Sequence, residues 1–95
     1  MKFNFEVGNR EKHQITFSFN QMFGNLKITV DGETLKRDFR LLSFNLIKKY
    51  EFNVGVQERH KIVIEKERKL LLAGFRPQKY RVFVDDKLLQ EHEGF

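Results

Sequence analysis

Residues 3–17 read FNFEVGNREKHQITF, and residues 50–64 read YEFNVGVQERHKIVI. Aligned at an offset of 47 residues, six of these fifteen positions are identical: Phe5/Phe52, Val7/Val54, Gly8/Gly55, Glu11/Glu58, His13/His60 and Ile15/Ile62. Phe3/Tyr50, Lys12/Arg59 and Phe17/Ile64 are conservative. Further on, Leu26-Lys-Ile-Thr-Val-Asp-Gly32 parallels Tyr80-Arg-Val-Phe-Val-Asp-Asp86 at an offset of 54, so the second copy holds seven extra residues. An internal repeat constrains architecture before any local reading does. Two copies are too few for a solenoid. They suit one domain in which two similar β-units share a core.

The local pattern agrees. Phe3, Phe5 and Val7 alternate with Lys2, Asn4 and Glu6, as do His13, Ile15, Phe17 and Phe19 with Gln14, Thr16, Ser18 and Asn20. Leu26, Ile28 and Val30 repeat the pattern, and so do Tyr50, Phe52 and Val54, His60, Ile62 and Ile64, and Tyr80, Val82 and Val84. Period-2 alternation marks antiparallel strands with one wet and one buried face. Gly8–Lys12, Phe23–Asn25 and Gly55–Arg59 are connections, and Asp31-Gly32 and Asp85-Asp86 are hairpin turns. A short strand is expected over Thr34–Asp38 and a last one over Lys87–Glu91. The expected organisation is one domain, with unit one over 1–38, a linking strand over 39–49 and unit two over 50–95. A short helix is the competing reading of 39–49. Segment 65–79 is read as an inserted β-arm or hairpin. About eight short strands of this kind specify an all-β antiparallel sandwich of two repeated meanders, because each apolar face must be covered by the other.

Composition narrows the function classes. Eleven Phe in 95 residues supply a core for a small chain. There is no Cys, so disulfides, thiolate metal sites and Cys nucleophiles are excluded. No apolar run approaches the ~20 residues of a membrane span, and the N-terminus has no signal-peptide core. A cytoplasmic protein without membrane contact is expected. The net charge is +5, and residues 66–81 hold Lys66, Arg68, Lys69, Arg76, Lys79 and Arg81 against Glu67 alone, six minus one, the whole excess.

Three elements are candidates for function. The duplicated Gly-x-x-Glu-[Lys/Arg]-His places Glu11 and His13, and Glu58 and His60, at equivalent turn ends. If a pseudo-twofold axis relates the halves, the two His and two Glu offer ligand types for zinc. The structural reading is preferred: each His closes the edge of the core and bonds its own turn. Gly8 and Gly55 open no helix and match no nucleotide-binding loop, so they are read as turn glycines needing positive φ. Ser18 and Ser43 lie in no nucleophile elbow. No catalytic residue, cofactor, metal or small-molecule substrate is therefore expected. The basic segment, with Phe75 and Tyr80 inside it, has the ingredients of a single-strand nucleic-acid or polyanion surface, or of a hairpin that blocks edge pairing with its charges. Third, outward Thr16 and Thr29 of unit one become Val63 and Phe83 in unit two, with Leu71 near in sequence. An apolar patch rimmed by cations is expected to bind a protein partner or a second copy, unless segment 65–79 covers it.

The F-x-V-G-N-R-E-K-H-x-I of the first half, the F-x-V-G and H-K-I-V-I of the second, and the strand-ending V-D-G-E and V-D-D-K resemble the C-terminal β-sandwich of the Fas apoptotic inhibitory molecule family. The resemblance spans nearly the whole chain. It implies a compact eight-stranded antiparallel sandwich without a catalytic site. This chain departs from the family in having no Trp, with Phe expected in those core places, and the family's N-terminal extension is expected to be missing. An anti-apoptotic role is not part of the expectation. The reading is a non-enzymatic interaction module, with polyanion binding through 66–81 as the alternative.

Overall fold

The computed structural model describes residues 1–20, 25–35, 39–68 and 78–94. Among these residues, nine strands form two antiparallel sheets. The first sheet is a meander of β1 (Lys2–Val7), β2 (His13–Asn20), β3 (Asn25–Val30) and β4 (Glu33–Thr34). The second is a meander of β5 (Phe39–Phe44), β6 (Ile47–Val54), β7 (His60–Glu67), β8 (Gln78–Val84) and β9 (Lys87–Gly94). The chain is an antiparallel β-sandwich.

Each sheet is one copy of the repeat. The register proves the equivalence: Val7 pairs His13 and Phe5 pairs Ile15 in the first sheet, while Val54 pairs His60 and Phe52 pairs Ile62 in the second. Likewise Ile15 pairs Val30, and Ile62 pairs Val84. The turn residues Asp31 and Gly32 have φ of 52° and 85°, and Asp85 and Asp86 have 50° and 69°. Two consecutive positive φ values make the primed turn whose twist matches paired strands.

The nine strands among the described residues agree with the eight or so expected. Two expectations change in detail. Residues 39–49 are not one linking strand or a helix: Asn45 takes φ of 53°, turns the chain with Leu46, and splits the stretch between β5 and β6. β6 therefore starts inside the predicted linker, and β5 is an extra edge strand with no counterpart in the first unit. The fourth strand is two residues long, while its counterpart β9 runs for eight. Residues 36–38 of the strand expected over Thr34–Asp38 and most of the 65–79 insertion fall outside the described residues.

The core follows from the alternation. Phe3, Phe5, Val7, Ile15, Phe17, Phe19 and Ile28 of one sheet pack on Tyr50, Phe52, Val54, Ile62, Ile64, Tyr80 and Val82 of the other. Aromatic rings join the layers: Phe17 lies 5.5 Å from Tyr80 and 6.1 Å from Tyr50, and Phe3 stacks on His92 at 4.3 Å. Each fully buried apolar side chain contributes roughly 1.5–3 kcal/mol, so the shared core holds the two units together. Tyr80 is sealed inside it, and burial with Tyr50 close by pushes its hydroxyl up to about 12.

Candidate functional site

The duplicated element builds a reciprocal clasp between the sheets. The turn after β1 is opened by Gly8 at φ of 110°, and the turn after β6 by Gly55 at 98°. Each glycine curls its turn so that successive backbone N–H groups point to one spot, an anion-binding nest. The amides of Asn9, Arg10 and Glu11 donate to the Glu58 carboxylate at 2.7, 2.8 and 3.3 Å. The amides of Val56, Gln57 and Glu58 donate to Glu11 at the same three distances. The glutamate of each repeat thus fills the nest of the other.

Each glutamate is also tied to its own histidine, and each histidine to an aspartate on the next hairpin. His13 Nε2 bonds Glu11 at 2.5 Å and its Nδ1 bonds Asp31 at 2.6 Å; His60 bonds Glu58 and Asp85, both at 2.6 Å. The second oxygen of Asp31 accepts from the amide of Gln14, and that of Asp85 from Lys61. A carboxylate can only accept, so both ring nitrogens donate and each ring is an imidazolium. The pKa directions agree. Asp31 and Glu11 raise His13, and Asp85 and Glu58 raise His60. The His13 ring and the amides of Gln57, Val56 and Glu58 hold Glu11 down at about 2, and His60 with the amides of Arg10, Asn9 and Glu11 does the same for Glu58. The histidines bond the glutamates of their own turns and, in addition, the aspartates of the next hairpins. The sequence reading missed the exchange of glutamates and the aspartates. Asp31 and Asp85 were visible as equivalent positions of the second repeat match, but only as turn formers.

Chemically, this arrangement ties ions to one another and leaves neither ring nitrogen of His13 or His60 free as a base. Among the described residues, no group of three or more His, Cys, Asp or Glu is arranged to hold a metal ion.

The outer faces of the sheets differ. On the first, Lys2, Asn4, Thr16, Ser18, Lys27 and Thr29 line a polar hollow of about 410 Å³, where the Thr16 hydroxyl donates to Asn4 at 2.7 Å. On the second, Leu42, Phe44, Val63 and Phe83 line a shallow groove of about 360 Å³ with Lys49, Glu51, Lys61, Glu65 and Asp86. Val63 pairs directly with Phe83, where Thr16 pairs with Thr29. Val63 and Phe83 are half-buried, and Phe44 beside them is 55% exposed. Leu71 lies outside the described residues.

The basic segment is divided between two faces. Lys66 is 7% exposed and turned inward, its Nζ 3.5 Å from the Phe19 ring centroid. Arg81 lies outward and is neutralised by Glu65 at 3.0 Å and Glu67 at 2.7 Å. Lys79 shares the outward side, opposite Glu67 and Glu93. Arg68 is exposed beyond the end of β7. Lys69, Phe75 and Arg76 lie outside the described residues. Tyr80, inside the core, presents no ring for base stacking.

Among the described residues, no helix is long and apolar enough to cross a membrane. No family model, curated protein or solved structure matches this chain.

Proposed function

We propose that this chain is a non-enzymatic interaction module that self-associates through the outer face of its five-stranded sheet. The observation that carries this reading is the distribution of exposed apolar side chains. Among the described residues, the exposed large hydrophobics are Leu41, Phe44, Val56, Leu88 and Leu89, all in the second unit or its added edge strand. The groove formed by Leu42, Phe44, Val63 and Phe83 lies on that sheet. Its rim holds both signs, Lys49 and Lys61 with Glu51, Glu65 and Asp86. A mixed rim around an apolar centre is self-complementary under a twofold axis, so a second copy is the occupant of choice. The saturated histidines support the non-enzymatic part, and the cysteine-free composition suits a reducing cytoplasm.

Sedimentation velocity over a concentration series tests it. The wild type is expected to gain mass with concentration, and Phe83→Lys to remain a folded monomer. A wild type that stays monomeric into the high micromolar range overturns the reading.

A further inference from the structure

At the end of the sandwich opposite the clasp, the inner face carries cations for which no counter-ion is found among the described residues. Lys66 is the one charged side chain among the described residues that is buried, at 7% exposure. Its Nζ touches the face of Phe19 and, among the described residues, has no carboxylate partner. Its cross-strand neighbour is Lys48. Like charges directly opposite each other destabilise a strand pair, so this pairing needs a compensating group. Arg68 lies two residues along the same face, and the charges of Lys48 and Arg68 both act on Lys66. Burial, aided by these two neighbours, pulls the Lys66 amine down to about 8. The two acids that flank it in sequence, Glu65 and Glu67, point to the other face and bond Arg81. A buried amide lies on the neighbouring strand β8. Gln78 is 3% exposed, two residues from Tyr80, which pairs with Lys66. Its Oε1 accepts from the Tyr80 hydroxyl at 3.4 Å, which leaves the amide nitrogen as a donor.

We propose that this end of the sandwich is a binding site for a phosphate-class oxyanion, held by Lys66, Lys48 and Arg68 with the Gln78 amide as a neutral donor. A dianionic tetrahedral group suits it better than a single carboxylate, because three cations and an amide offer more charge and more donors than one carboxylate can use. The site is separate from the outer groove, since Lys66 and Gln78 face inward and Val63 and Phe83 face outward.

The probes are inorganic phosphate and phenyl phosphate, titrated into the intact chain at about 0.15 M constant ionic strength, with sodium chloride as reference. NMR of the lysine side chains gives the readout. Phosphate is expected to shift the Lys66 signals saturably and to raise the pH at which the amine titrates by about half a unit or more, because an anion stabilises the charged form. Saturation by both probes shows recognition of a phosphoryl group on a larger ligand; saturation by inorganic phosphate alone shows an enclosed free anion. Lys66→Met preserves the packing on Phe19 and is expected to abolish binding, and Lys48→Met to weaken it about tenfold. Shifts no larger than those from chloride, or binding unchanged in folded Lys66→Met, overturn the proposal. The wild-type titration decides the matter alone should a variant not fold.

Discussion

Thr16 and Thr29 stand opposite each other on the outer face of the first sheet; Val63 and Phe83 occupy the same two places on the second. The inner faces of these strands barely differ. Phe5 and Ile15 correspond to Phe52 and Ile62, all at 3% exposure or less. The clasp differs still less, since the two nests repeat one another to within the quoted distances. Core and clasp require specific residues in both copies, because each half completes the other. The outward positions have no such requirement. The first sheet carries a polar pair at these places, so the fold itself does not require an apolar pair in the second. This is the physical ground for placing an interaction surface on that sheet and not on its twin.

The comparison breaks most severely at the glycines. A Cβ on Gly8 would be driven into the carbonyl oxygen of Glu11, and one on Gly55 into that of Glu58. Both sites also have positive φ, which a β-branched residue avoids. Gly8→Val and Gly55→Val should each cost about 2–4 kcal/mol from backbone strain and loss of the nest. If the clasp is symmetric in energy as in geometry, the two losses should be equal. Chemical denaturation measures both; a loss below ~1 kcal/mol at either site removes the nest from the account.

The next effect depends on pH. Glu11 and Glu58 fall from an ordinary 4.5 to about 2, so their contribution is present above pH 4.5 and disappears as the pH falls toward 2. Asp31 and Asp85 are lowered as well and act in the same direction. His13 and His60 are raised above 6.5, so their contribution is full below pH 6.5 and is lost as the pH rises through the raised value. The melting temperature should therefore plateau between about pH 4.5 and 6.5 and decline on both sides. Glu11→Gln replaces one carboxylate oxygen by an amide donor, which then faces either the Val56 amide and the His13 ring or the amides of Gln57 and Glu58. It should lower the plateau, flatten the acid limb and bring the His13 titration down, and Glu58→Gln should do the same to His60. A melting temperature that does not depend on pH between 2 and 8 would count against the imidazolium clasp.

What the sequence made legible follows from which interactions are local. Alternation over Phe3–Val7 or His13–Phe19 reports burial directly, so the strands, the sandwich and the inward Tyr80 were all readable. The turns Asp31-Gly32 and Asp85-Asp86 were readable because positive φ needs few residue types. The break at Asn45 was not, since Leu42, Phe44 and Leu46 keep the strand period straight through it. The exchange of Glu11 and Glu58 was hidden for another reason: its partners lie 45 to 49 residues away. For the basic segment the misleading signal was charge counted without parity. Counting cations from 66 to 81 treats them as one surface, whereas alternation sends Lys66 inward and Arg81 outward into two carboxylates.

A gentler test exchanges the outer faces. Val63→Thr with Phe83→Thr gives the second sheet the surface of the first. Cross-strand pairs of this kind are worth roughly 0.2–1 kcal/mol, so stability should drop by about that much and the fold should survive. Self-association should disappear in sedimentation. Persistence of the full wild-type association would move the interface to the edge strands, where Leu41 on β5 and Leu88 and Leu89 on β9 are exposed.

The smallest effect comes from the reverse exchange. Thr16→Val removes a hydroxyl that donates to Asn4 at 2.7 Å, and Thr29→Phe adds a ring opposite it. The lost hydrogen bond is exposed and worth ~1 kcal/mol or less, and the new apolar pair returns a similar amount. Stability should therefore stay within about 0.5 kcal/mol of wild type. Association should increase little, because this sheet lacks a counterpart of β5: Leu42 and Phe44, which complete the groove on the second sheet, come from that added strand. The double variant thus separates two explanations of the proposed self-association. If the cross-strand pair alone suffices, the first sheet will gain a concentration-dependent mass shift as large as that of the second. If β5 is required, the variant will sediment like the wild type, and the extra strand will be the element that distinguishes the two halves.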